Sequence, residues 1–517
     1  MLKSIYQLNS QDYSSHTAIN RLVNSDPSAR QTNRQTFQRK FYDTFDWRLF
    51  NAGYLLEEDL SGNTRLLRLR SLRSGSCIIE QPLKESPRFY RDIPRGRLRD
   101  MLKKLIKERA LLDMGTHEVR STEYEHRDSL DKIILRLKVT GIYVPLPGSR
   151  QKGVCAWLEL HPLRGYEDEA EMLSKLLSKK HQFRHINEDL ARVLFRALDK
   201  TPADYSSKMD IRLEHDMPGH SALSAVLLYN LEIMESNENG IKQDIDIEFL
   251  HDFRVANRRS RSLVTRVKHV FPESELGRFR KAFSWLSKLT STHRDLDVFL
   301  ADFAIYENRI PRNGGGDLEP LRELLQKNRT REHKRLVRAL ESSRFDSFRH
   351  DWRTFLESKH QTCRHTAKGM TPVMEIASKS IWKGYKKLLQ QGDTIKTNYT
   401  FESIHQLRKD GKKLRYLLEA FRSLYPDDDI SSVIGILKKL QNNLGDIVDM
   451  HTQRYMLEDW KQTLLHGKSI PADTIQAIDH LENLCIEEEA EAEKKFKKRF
   501  NRFSNRINRK LFLDLFA

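Results

Sequence analysis

Apolar residues follow two rhythms along this chain, and the change comes near residue 200. Before it, apolar and polar side chains often alternate, as over Thr64–Leu69, Cys77–Pro82, Lys132–Val139 and Val154–Leu160. A period of two puts alternate side chains on opposite faces of an extended chain, so these runs predict strands. Helical spacing interrupts them at Arg95–Arg109 and Tyr166–Lys179. From about residue 210 onward the spacing is helical almost throughout, and Asn313-Gly314-Gly315-Gly316 reads as a loop between helices. The expected architecture is multidomain: an α+β unit with an antiparallel sheet over residues 1–200, then an all-α unit over 205–510.

The helical half repeats itself. HDFRVANRRSRSLVTRVKHVFPESEL begins at His251, and HQLRKDGKKLRYLLEAFRSLYPDDDI begins at His405, an ungapped offset of 154 (405 − 251). In that register His251 falls on His405, Arg254 on Arg408, Arg258 and Arg259 on Lys412 and Lys413, and Arg261 on Arg415. Pro272 with Pro426, Leu286 with Leu440 and Asp295 with Asp449 extend the match. So many chemical types in one register mark a duplicated helical bundle, with copies at about 205–360 and 370–510.

At 100° per residue His251, Arg254, Arg258 and Arg261 share an arc of roughly 80°. Phe253, Ala256, Ser260, Leu263, Val264, Val267 and Val270 lie opposite. His405, Arg408, Lys412 and Arg415 form the matching stripe, backed by Leu407, Leu414, Leu417, Leu418, Phe421 and Leu424. A row of cations is commonly a solvated face. Here it recurs in both copies, and the stripes read as almost purely cationic, without Glu partners at i+4. Such rows gain stability from an anion, and Arg forks suit phosphate oxygens. Further basic rows occur at Arg331, Lys334, Arg335 and Arg338, and at Lys383, Lys386 and Lys387 beside Trp382 and Tyr385. The two histidines lack Cys or carboxylate neighbours at ligand spacing, so no metal or other cofactor is expected. Each suits a neutral N–H donor to phosphate that gains charge as pH falls.

Charge supports an anionic partner without choosing one: 90 Lys+Arg against 72 Asp+Glu give a formal net charge of +18. The four cysteines are scattered, which fits a reducing cytoplasm better than a disulfide framework. No apolar h-region opens the chain, and no run approaches the ~20 apolar residues of a membrane span.

The pattern HxxRxxxRRxR, the later Arg294-Asp295-Leu296-Asp297, and HQLRKDGKKLRYLLEAF with LGDIVD resemble the CHAD (conserved histidine α-helical domain) family. That resemblance implies two pseudo-symmetric helical halves with a basic central surface that binds inorganic polyphosphate. The contacts it carries over are His251, Arg254, Arg258, Arg259, Arg261, His405, Arg408, Lys412, Lys413 and Arg415. Asp410 interrupts the second stripe, but by angle it points toward the packed side.

The first 200 residues resemble a degenerate CYTH domain, the triphosphate-tunnel barrel, through FYDTFDWRLFNAGYLL, the strand LLRLRS and WLELHPLRGYEDEAEMLSKLL. The resemblance implies an N-terminal ExExK strand for metal and phosphate, yet this chain reads LKSIYQL there, and Glu159-Leu160-His161 replaces a later ExE. Too few hard oxygen ligands remain for metal-assisted phosphoryl transfer, so no catalytic residue is assigned. Arg68, Arg70, Arg136 and Lys138 alternate, and either line a tunnel or face solvent. The expected function is non-catalytic binding of polyphosphate in the cytoplasm, where polyphosphate granules are one destination. A triphosphatase or other phosphoryl hydrolase in the first unit is the alternative. Nucleic-acid binding ranks below both, because the stripes lack the aromatic and amide side chains that read or stack bases. Oligomeric state is not readable from the sequence.

Overall fold

A computed structural model describes residues 4–8, 15–73, 76–145, 151–180, 183–185, 192, 195, 200–311, 317–358, 366–466 and 471–517. The Asn313–Gly316 tract lies outside them. Two compact units result, Met1–Ser206 and Ser207–Ala517. No described helix is long and apolar enough to cross a membrane.

The first unit is one antiparallel sheet of nine described strands. These are β1 (Ser4–Leu8), β2 (Ala29–Asp43), β3 (Tyr54–Ser61), β4 (Thr64–Ser71), β5 (Cys77–Leu83), β6 (Leu112–Arg127), β7 (Ile133–Pro145), β8 (Gln151–Pro162) and β9 (Phe183–His185). Their order is β5-β4-β3-β2-β6-β7-β8-β1-β9. Period-two patterning explains the two faces. On β3 and β4, Leu56, Leu67 and Leu69 point under helix α3 (Arg97–Ile106), against Leu98, Leu102 and Ile106. The intervening Glu57, Asp59, Arg68 and Arg70 point to the other face. Helix α1 (Ser15–Asn24) covers β7 and β8 in the same way, through Ile19 and Val23. Helices α2 (Arg48–Asn51) and α4 (Glu167–Lys180) complete the unit.

The second unit is all-α. Its first copy contains α5 (Gly219–Lys242), α6 (Ile247–Arg266), α7 (Glu273–Leu289), α8 (Ser291–Ala301), α9 (Phe303–Arg309), α10 (Glu319–Leu340) and α11 (Ser343–Glu357). The second contains α12 (Val373–Thr397), α13 (Phe401–Ala420), α14 (Asp427–Leu465), α15 (Ala472–Phe503) and α16 (Arg506–Phe516). The offset of 154 carries α5 onto α12 and α6 onto α13 nearly end to end. Their N-caps correspond as well: Pro218 with Pro372, and Asp246 with Thr400. Where the first copy breaks at Thr290 between α7 and α8, the second runs unbroken as α14.

The copies meet through repeat-equivalent atoms. Gly219 N–H donates to Thr371 O at 2.9 Å, and Val373 N–H donates to Met217 O at 2.8 Å. This reciprocal pair brackets a bridge between Pro218 and Pro372, so a pseudo-twofold axis passes between the two prolines. Gly219 has no room for a Cβ, which would sit 2.2 Å from Ile376 Cδ1. Helix α6 packs on α13 along the same relation.

Candidate anion-binding site

Helices α6 and α13 carry the basic stripes, and each is started by a side-chain cap. Asp246 accepts from Glu248 N–H at 2.9 Å, and Thr400 accepts from Ser403 N–H at 3.2 Å. Their apolar faces sink into the bundle: Phe253, Ala256, Leu263, Leu407, Leu414 and Leu417 are all buried. That burial fixes each helix's rotation and sets the stripe cations at the margin of the core. His251, Arg254, Arg258, Arg261, His405, Arg408, Lys412 and Arg415 are all half-buried, unlike side chains on an open helix surface.

The two copies supply one cluster. Arg258 acts electrostatically on Arg254 and Arg261 of its own helix and on Lys412 of α13. Arg258 and Lys412 are repeat equivalents, so they face one another about the pseudo-twofold relation. Among the described residues the side chains of Arg258, Arg261 and Lys412 make no hydrogen bond or ion pair. The others are held. Arg254 donates to Thr290 Oγ1 at 2.8 Å, Arg408 pairs with Asp449 at 2.7 Å, and Arg415 pairs with Glu419 at 3.3 Å. The last pair corrects the expectation of stripes without acidic i+4 partners: Glu419 is such a partner.

Burial and crowding leave a protonation signature. Desolvation, then Arg408 and Arg258, push Lys412 down to about 8. Arg254 is pushed down to about 10 by burial and by Arg258, and so stays charged at neutral pH. His405 is lowered by burial and by Lys409, Arg408 and Lys412, which keeps it neutral at neutral pH. Each shift records burial first and the neighbouring cations second.

Two of the sequence-derived residues face elsewhere. Arg259 is buried, donates to Ser207 O at 2.7 Å, and pairs with Glu419 at 3.3 Å. Lys413 turns to Asp410, with which it pairs at 3.5 Å. Asp410 is 2% exposed and also engages Arg266, Lys387 (2.8 Å), Gln391 and Gln406. Burial alone would raise its pKa, but the Lys387 and Gln406 bonds and the Arg266 charge hold it far below the carboxylate range. Lys387 thus serves this cluster, while Lys383 is exposed and Lys386 lies 5.6 Å from the Trp382 ring centroid. Tyr385 is buried against Phe512. Arg331, Lys334, Arg335 and Arg338 form a separate exposed row on α10, with Glu332 near Arg331 (3.7 Å) and Arg335 (3.3 Å).

Three features of the cluster escaped the angular argument. Tyr416 is 2% exposed, its hydroxyl has no partner among the described residues, and it senses Arg254 and Arg261. Thr290 anchors Arg254 from the break between α7 and α8. Asp295 and Asp449, already matched by the repeat register, approach one another beside the cations. Burial first, then Arg254, Arg294 and Asp449, set the Asp295 carboxyl, which is raised overall. The remaining acid of the RDLD segment is structural: Asp297 is buried and receives Arg329 at 2.7 Å.

In the first unit a cavity of about 630 Å³ is lined by Arg39, Asp59, Arg68, Arg70 and Lys138 among others. Its cations are already paired. Arg39 bonds Asp59 at 2.6 and 2.9 Å and pairs with Glu57 at 3.0 Å. Arg68 engages Asp59, Arg70 engages Glu57, and Lys138 reaches Glu123 at 3.0 Å. Arg136 is exposed and is not among the residues that line the cavity. Glu159 accepts from Trp157 Nε1 at 2.9 Å and lies 3.1 Å from His161 Nε2. No group of three or more candidate metal ligands occurs among the described residues.

Comparison with known proteins bears on the second unit. Residues 225–458 match the family described as CHAD domain. No curated protein sequence matches the chain. Among solved structures, the CHAD domain from the plant Ricinus communis is 23% identical, with TM-score 0.48, covering 58% of this chain and 96% of its own. PptA from Streptomyces chartreusis is 15% identical, with TM-score 0.42, covering 55% of this chain and 99% of its own. HpAC1 from Hippeastrum, described as having a dominant triphosphatase activity, is 13% identical, with TM-score 0.28, covering 40% of this chain and 99% of its own. The duplicated helices and their histidine-led basic stripes fall within the segment, residues 225–458, that is similar to the CHAD domain family.

Proposed function

We propose that the helical unit binds inorganic polyphosphate across the face shared by α6 and α13, without hydrolysing it. One observation carries this reading. Arg258, Arg261 and Lys412, from both copies, stand half-buried and without ion-pair partners among the described residues. Like charges held this way raise the energy of the empty site, and a chain of phosphates offsets it. The core set is Arg254, Arg258, Arg261, Arg408, Lys412 and Arg415, with His251, His405 and Tyr416 as further donors. Arg259 and Lys413 support the helices that present them. The CHAD family relation favours phosphate polymers over nucleic acid, and so does the scarcity of exposed aromatic side chains on the stripes.

Titration of the full chain with polyphosphate of defined lengths tests the reading, with RNA and DNA as competitors at matched salt. Log affinity should fall linearly with log salt. Six cations predict a slope of roughly −4 to −5, at 0.7–0.9 per phosphate neutralised. A salt-insensitive affinity, or preference for nucleic acid, would remove the model.

A further inference from the structure

Lys412 differs from its neighbours in what surrounds it. Arg408 lies one turn before it, Arg415 one turn after, and Arg258 faces it from α6, while Asp449 of α14 is the acid that acts on it. Arg408 and Arg415 are occupied by Asp449 and Glu419; Arg258 has no such partner. The adjacent Lys413 is held on Asp410. Lys412 makes no ion pair, is half-buried, and has a pKa near 8, so a sizeable fraction of it is unprotonated amine at mildly alkaline pH. An unprotonated lysine is a nucleophile, and guanidinium groups seat phosphate.

We propose that Lys412 is a modification site that takes the acyl group of small acyl phosphates, with Arg258 and its neighbours seating the phosphate. The Nζ lone pair attacks the carbonyl carbon and forms a C–N bond. The C–O bond to phosphate breaks, and its electron pair leaves with inorganic phosphate, which accepts the proton released by nitrogen. The product is a neutral amide, so the cluster loses one charge at the meeting point of the copies and polyphosphate binding weakens. The inference rests on the reading of this face as a phosphate-binding surface and adds a covalent control to it.

The test exposes the full chain to acetyl phosphate at pH 8 and follows acetylation of each lysine by mass spectrometry. Lys383 and Lys386 are exposed lysines of the same unit and serve as references. Lys412 should react about tenfold faster than either, because a larger share of it is unprotonated and its donor is held nearby. That preference should shrink in Arg258→Gln, with polyphosphate present, and with N-acetylimidazole, a donor lacking phosphate. Circular dichroism checks that the variant is folded. If Lys412 reacts only as fast as Lys383 and Lys386 in protein that titrates normally with polyphosphate, this inference is overturned and the binding reading stands. A flat polyphosphate titration beside fast, Arg258-dependent acetylation would sink the polymer reading and leave the acyl-phosphate site in place.

Discussion

Within a single basic stripe, neighbouring cations have opposite duties. Arg258 and Arg259 are adjacent, yet one faces the cluster unpaired and the other is buried against Glu419. Helical angle alone separated the stripe from the core, but it did not rank cations on the boundary, because a long side chain can turn toward either side. Asp410 was placed correctly by angle, on the packed side. Of its three cationic partners only Lys413, at i+3 on the same helix, was legible, since Arg266 and Lys387 reach it from other helices. Lys412 yields a pH prediction with a definite sign. Its depressed pKa in the free protein means that a bound polyanion favours the ammonium and draws a proton in. Affinity should be highest below pH 8 and decline as pH rises through that value. Calorimetry in buffers of different ionisation enthalpy should record proton uptake near pH 8, and Lys412→Arg should abolish it. Equal heats in all buffers would mean that the polymer does not touch this amine.

Among whole elements, the repeat was the most legible feature. The offset of 154, read from the stripes and from Pro272 with Pro426, translates directly into α6/α13, and the structure extends it to α5/α12 and the caps. Charge reversal therefore gives a matched comparison. Arg254, Arg258 and Arg261 changed together to Glu should cost long-chain affinity about as much as Arg408, Lys412 and Arg415 changed to Glu. Each set should cost about 100-fold or more, at roughly 1.5–3 kcal/mol per charged hydrogen bond. Retention of wild-type binding by one folded variant would reduce its stripe to a solvated face. The strands β4, β5, β7 and β8 were visible as alternations, and α3 and α4 as helical spacing. The long strands β2 and β6 were not: β6 buries polar residues such as His117, Ser121 and Thr122, and the first half of β2 is polar and largely exposed. Hydrophobic period carries no signal where neither face is buried.

For the molecule as a whole, net charge misleads about where free cations lie. The first unit's cavity looks basic in sequence, yet Glu57 and Asp59 neutralise Arg39, Arg68 and Arg70 from within. Both carboxylates are thereby engaged by arginines. Full-length protein supplied with Mg²⁺ or Mn²⁺ should release no phosphate from tripolyphosphate above background. Robust turnover that disappears in Glu159→Gln would instead assign a working active site to this unit. In the second unit Arg258 of one copy acts on Lys412 of the other, and the copies also meet at the seam between Pro218 and Pro372. Each copy presents one donor and one acceptor there, and each finds its complement in the same pair on the other. Such an edge is self-complementary: each copy presents the donor and the acceptor that an identical edge would meet about a true twofold axis. Because α6 and α13 obey the same twofold relation, having both copies in one chain keeps the two stripes together at any protein concentration.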